Sequence, residues 1–120
     1  MASLVNWSYL VRLMGNEPRD AVAFCRMAAG RLPVDIEGIR QLARAGDWAG
    51  VARRVHALRS TARAFGAEAL GERLLVAEDR AKAGEAAELE RTLPGVLDEL
   101  RGLAAELEEL GARGGPTGGV

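Results

Sequence analysis

From Leu4 to Leu110 the apolar residues recur at the three-four spacing of an amphipathic helix, and the series is punctuated by glycine and proline. That period asks for helices that each bury one stripe against a neighbour. Ala, Leu, Arg and Glu, all strong helix formers, dominate almost every window, so the expected class is all-α. Leu4, Trp7, Leu10, Val11 and Met14 mark a short helix over 3–14, ended by Gly15-Asn16. Pro18 suits the first turn of a second helix, where a missing N–H costs little. That helix carries Val22, Cys25, Met27 and Ala29, and Gly30 and Pro33 predict its end. A third starts near Asp35, turns Ile36, Ile39, Leu42 and Ala43 inward, and stops at Gly46.

Asp47 is the expected cap of the next helix, whose apolar series is Val51, Val55, Leu58, Ala62 and Phe65, with Gly66 as its stop. Another helix spans about Ala67 to Ala83 with Leu70, Leu74, Ala77 and Ala81 in register, terminated by Gly84. The last, Glu85 to Leu110, holds a leucine-rich series read as core rather than as a zipper, and Pro94-Gly95 predicts a kink or a break. Short connections imply antiparallel neighbours. The expected architecture is an antiparallel up-down four-helix bundle with an additional short N-terminal helix, in which Trp7 and Tyr9 pack over one end. Residues 1–110 form this domain, and residues 111–120, with five glycines, read as a disordered tail.

Sixteen basic residues face seventeen acidic ones, and the net charge of −1 argues against a nucleic-acid partner. No apolar run reaches the roughly 18 residues that cross a bilayer, and MASLVNWSYLVRLMG does not read as a signal peptide, so the expected location is cytoplasmic. The single cysteine, Cys25, forbids an intrachain disulfide and sits in an apolar stretch as a buried core residue. One His and one Cys on different helices supply no metal-ligand set, and no Gly-rich phosphate loop is present, so neither a metal nor ATP is expected. A free-standing chain and a domain of a larger protein both fit, with Met1 favouring the former.

His56 is the only histidine and does not belong to the apolar stripe of its helix. At 100° per residue it lies roughly 140° from Val51, which predicts an exposed imidazole. Ala49 and Ala52 precede it on that flank and Ser60 follows one turn later, so the ring stands above small neighbours. Arg59 and Arg63 lie at the third and seventh positions after it. A neutral imidazole is nucleophilic, and arginine pairs well with phosphoryl oxygens.

The stretch VHALRSTARAFGAEALGERLLVAEDRAKAG resembles the signature of histidine-containing phosphotransfer (HPt) domains. The likeness lies in His56, Leu58, Arg59 and the small Ser60, followed by Gly66-Ala67, Leu70 and Glu78, with Ala45-Gly46-Asp47-Trp48 leading into the histidine helix. It covers about residues 20–108. The resemblance implies a four-helix bundle without kinase activity, whose His56 exchanges a phosphoryl group with the aspartate of a response-regulator receiver domain. A hybrid histidine kinase is a further partner of this kind. It also implies that Arg59 offsets phosphate charge, that Glu78 on the neighbouring helix hydrogen-bonds the imidazole, and that Lys82 adds positive charge. Any magnesium would come from the receiver, and the chain itself would be a cofactor-free monomer. The family usually has glycine where this chain has Ser60, which leaves less room for a docking receiver; Arg63 is bulkier than in some members. A second reading therefore stands beside the first: a degenerate module that binds receivers without carrying phosphate. Trp48, at the edge of the stripe, is a candidate docking contact.

Overall fold

The computed structural model describes residues 3–116. Five helices follow one another: α1 (Trp7–Leu13), α2 (Pro18–Arg44), α3 (Trp48–Ala64), α4 (Glu68–Lys82) and α5 (Ala86–Arg113). No strand occurs among the described residues. The four long helices close a ring in which α2 packs most extensively on α5 and α3 on α4, while α2 meets α3 and α4 meets α5. The expected bundle with one short extra helix is therefore the observed one. At 1.5 Å per residue, the 27 residues of α2 and 28 of α5 make rods of roughly 40 Å. They account for most of the 47 Å length of the molecule. The hairpin of α3 and α4 is shorter, with 17 and 15 residues, and α1 fills the end that it leaves open.

The connections are made by the chemistry that the sequence suggested. Asp47 caps α3, its Oδ1 accepting the Gly50 N–H at 2.9 Å. At the other end of α3, Gly66 has φ +70°. The Ala67 N–H donates to the Ala62 carbonyl and the Gly66 N–H to that of Arg63, the glycine stop in which the left-handed residue turns the chain back over the last turn. A Cβ on Gly66 would also lie 2.6 Å from that of Asn6, because the Asn6 N–H donates to the Phe65 carbonyl at 2.8 Å and ties the N-terminal segment to this corner. Val5 and Leu10 are buried beneath it, and Phe65 stacks on Phe24 with ring centroids 4.9 Å apart.

Four sequence expectations need correction. Gly30 and Pro33 do not end a helix: α2 runs unbroken through both. Cys25, Ala28, Leu32, Ile36 and Ile39 form one buried stripe across the supposed break. An internal proline costs about 3 kcal/mol, whereas burying a Leu or Ile yields about 1.5–3 kcal/mol each, so the stripe outweighs the proline. Met27, expected inside, is exposed. Of the kink or break expected at Pro94-Gly95, the break does not occur: α5 buries Leu89, Leu93, Val96, Leu97 and Leu100 on both sides of them. Finally, α5 continues to Arg113, and Gly115 sits against the Trp7 indole, so close that a Cβ there would lie 3.5 Å from the ring. Residues 111–116 thus belong to the fold; the remainder of the expected tail, 117–120, lies outside the described residues. Cys25 is buried, and burial pushes its thiol up to about 11.

Candidate functional site

His56 lies at the middle of α3, on the flank turned from the core, and its side chain is 65% exposed. Its orientation is set from α4. The stripe Leu70, Leu74, Ala77, Ala81 packs α4 into the bundle, and Glu78 falls on that stripe one turn after Leu74, so its carboxylate is carried inward and is only 2% exposed. Glu78 Oε2 lies 2.9 Å from His56 Nδ1 and 2.9 Å from Lys82 Nζ. Its other oxygen, Oε1, accepts from Arg59 Nη1 at 2.9 Å. Three donors thus converge on one buried carboxylate, and no buried side-chain polar atom among the described residues lacks a partner.

Burial alone would raise the pKa of Glu78, but the hydrogen bonds from Lys82, Arg59 and His56, with the charge of the imidazole added, outweigh it and hold the carboxyl at about 2. An ionised carboxylate has no proton to give. The Nδ1 of His56 is therefore the N–H that donates to Glu78, and in the neutral ring the lone pair lies on Nε2.

The expected site residues divide into two groups. His56, Glu78 and Lys82 border one cleft between α3 and α4 together with Ala49 and Ala52, and Ala52 is buried as its floor. The cleft is open because small residues line it: Ala81 of α4 and Gly84, in the turn after α4, border it with the two alanines. Arg59 and Arg63 border a second groove further along the same helix pair, with Tyr9, Glu72 and Leu75. Arg63 is therefore not brought to His56. Arg59 is turned inward, 18% exposed, and spent on Glu78. Ser60 is exposed one turn beyond His56. Trp48 is half-buried at the mouth of the histidine cleft.

Sequence reasoning missed Arg53 and Ala81, which line the cleft. Both were reachable by spacing: Arg53 is three residues before His56, on the same helical flank, and Ala81 is three after Glu78. No cluster of three or more His, Cys, Asp or Glu is placed to hold a metal ion among the described residues. Nor is any helix among them long and apolar enough to cross a membrane.

A helical bundle that presents one exposed imidazole, with Nδ1 held by a buried carboxylate, defines a histidine-centred module. Comparison with known protein families agrees: residues 24–113, three quarters of the chain, match the Hpt domain. The chain belongs to that family, the histidine phosphotransfer modules of phosphorelays. Neither a curated protein nor a solved structure matches the chain.

Proposed function

We propose that the protein is a phosphorelay carrier that accepts a phosphoryl group on Nε2 of His56 from the aspartate of a response-regulator receiver domain and returns it to another. One observation carries the reading: the buried Glu78 carboxylate lies 2.9 Å from Nδ1 of the exposed His56, so that in the neutral ring Nδ1 donates and Nε2 is left as the nucleophile. In the forward step the Nε2 lone pair forms the N–P bond as the acyl P–O bond breaks, and that electron pair stays with the receiver carboxylate. The imidazolium so formed keeps its Nδ1–H on Glu78, whose charge offsets the new cation. Transfer of this kind depends on positioning and electrostatics, and the divalent metal is expected from the receiver. The α3–α4 cleft with Trp48 and Ala49 at its mouth is the docking surface, approached by a monomer in the cytoplasm; a hybrid histidine kinase is a further partner of the same type.

The competing reading is a module that binds receivers without carrying phosphate; Ser60 in place of the family's usual glycine is the observation behind it. The two separate in a transfer assay. Receiver domains charged with labelled acetyl phosphate are mixed with the protein and with a His56→Gln variant. Acid-labile, alkali-stable label on the wild type alone supports the carrier. Receiver binding without label in either protein supports the binding module.

A further inference from the structure

Trp48, the first residue of α3, borders a second concavity besides the histidine cleft. It is a groove of about 690 Å³ between the C-terminal end of α2 and the N-terminal half of α5. Small-molecule sites hold about 300–1,000 Å³, are mostly apolar and carry a few convergent polar groups. This groove has that make-up. Its floor is Ala43 with the buried Leu89, Leu93 and Leu97, and the Trp48 indole is one wall. Along α5 the lining runs from Leu89 to Arg101, roughly 18 Å of helix. Its charges are unevenly placed. Arg40 and Arg44 stand on the α2 side, and Glu90, Asp98 and Arg101 on the α5 side. Asp98 holds Arg101 at 2.7 Å, and Glu37 holds Arg40 at 2.8 Å. Arg44, exposed in the last turn of α2, makes no ion pair among the described residues.

We propose that this groove binds a small amphipathic monoanion, an apolar chain or ring ending in one carboxylate. The carboxylate pairs with Arg44, and the apolar body lies against Trp48 and the leucine floor. Charge selects the class of ligand. Three guanidiniums against two carboxylates leave one positive charge in the lining, which a monoanion neutralises and a polyphosphate exceeds. A cationic amphiphile meets a lining that is already positive. A guanidinium offers a carboxylate two parallel N–H donors, and Arg44 is the lining arginine free to give them. It is also more weakly hydrated than an ammonium, so it pairs at an apolar edge at less cost. The site is separate from His56 and stands whether or not that residue carries phosphate.

The test is a titration of 15N-labelled protein with decanoate, kept below its micellar concentration and followed by NMR. The two indole N–H signals are reporter and control: Trp48 lines the groove, whereas Trp7 lies against Gly115, beyond the other end of α5. A Trp48→Phe variant assigns them. The expected result is a saturable, one-site shift of the Trp48 indole and of the amides of residues 89–101, with the Trp7 indole unmoved. Arg44→Gln, an exposed substitution, should weaken decanoate binding about tenfold, the loss of one charge-assisted pair. Decanol and decyltrimethylammonium, with the same chain and no negative charge, should bind more weakly than decanoate by a similar factor. Decanoate binding that is unchanged in Arg44→Gln overturns the inference. So does decanol or decyltrimethylammonium that binds as tightly as decanoate, or a shift that grows at both indoles without saturating.

Discussion

Replacing Glu78 with glutamine keeps the shape of the site and removes the charge on which three donors converge, so its effect on acid stability can be worked out. The carboxyl has a pKa of about 2 in the folded protein against an ordinary value of 4.5, because the hydrogen bonds from Lys82, Arg59 and His56 outweigh the cost of burial. The sign follows from linkage. A group whose pKa is lower folded than unfolded binds more protons unfolded, so its contribution is fully present above pH 4.5 and is lost as the pH falls towards 2. At 1.36 kcal/mol per unit the whole contribution is about 3 kcal/mol, of which about 2 kcal/mol disappears between pH 5 and pH 3. Glutamine has no such titration. Its single oxygen also cannot serve Arg59 and His56 at once, so the variant should be less stable than wild type at pH 5. Urea unfolding followed by circular dichroism at pH 5, 4 and 3 measures both proteins. The gap between them should shrink by about 2 kcal/mol across that window. Parallel pH profiles would refute the claim that a buried, ionised Glu78 anchors the site.

Other substitutions probe other parts of the molecule. Pro33→Ala should stabilise the protein by about 1–2 kcal/mol, since α2 is continuous and alanine restores the N–H that the helix lacks; a lower denaturation midpoint would contradict this. Phe65→Ala removes a fully buried ring stacked on Phe24 and should cost about 3–5 kcal/mol, read from urea unfolding at neutral pH. Glu106 accepts the Leu4 N–H at 2.8 Å and the Val5 N–H at 3.1 Å, and also meets the Ser3 hydroxyl. Glu106→Ala should therefore speed amide exchange at residues 4–10 and leave the amides of α3 and α4 protected; uniform loss of protection would show that α1 is not a separable element.

Much of this molecule was legible because its helix ends are written locally. Asp47, Gly46, Gly66 and Gly84 act through bonds to residues within one turn, so a reader of the sequence can place them. As helix breaks, Pro33 and Pro94 misled for the opposite reason. Their local cost is real, and what overrides it is burial against other helices, which no window of sequence contains. The buried stripe from Cys25 to Ile39 was nevertheless there to be followed across the proline. At the site, the exposure of His56 followed from one helix's own periodicity. The meeting of Glu78 with His56 did not, because 22 residues and a turn separate them, and only the resemblance pointed to it. Arg59 shows the limit of such carry-over. Its place in the signature says nothing of the direction of its side chain, which depends on Glu78, and the carboxylate draws it away from the cleft.

The central claim is that Glu78 fixes Nδ1 and so directs phosphate to the other ring nitrogen. The most direct measurement is the phosphorus–nitrogen coupling pattern of 15N-histidine-labelled protein after phosphoramidate treatment, beside a His56→Gln control. The expected result is a single phosphohistidine with phosphorus on Nε2, a protonated Nδ1, and no signal from the control. Phosphorus on Nδ1, or a folded wild type that takes up none, would contradict it.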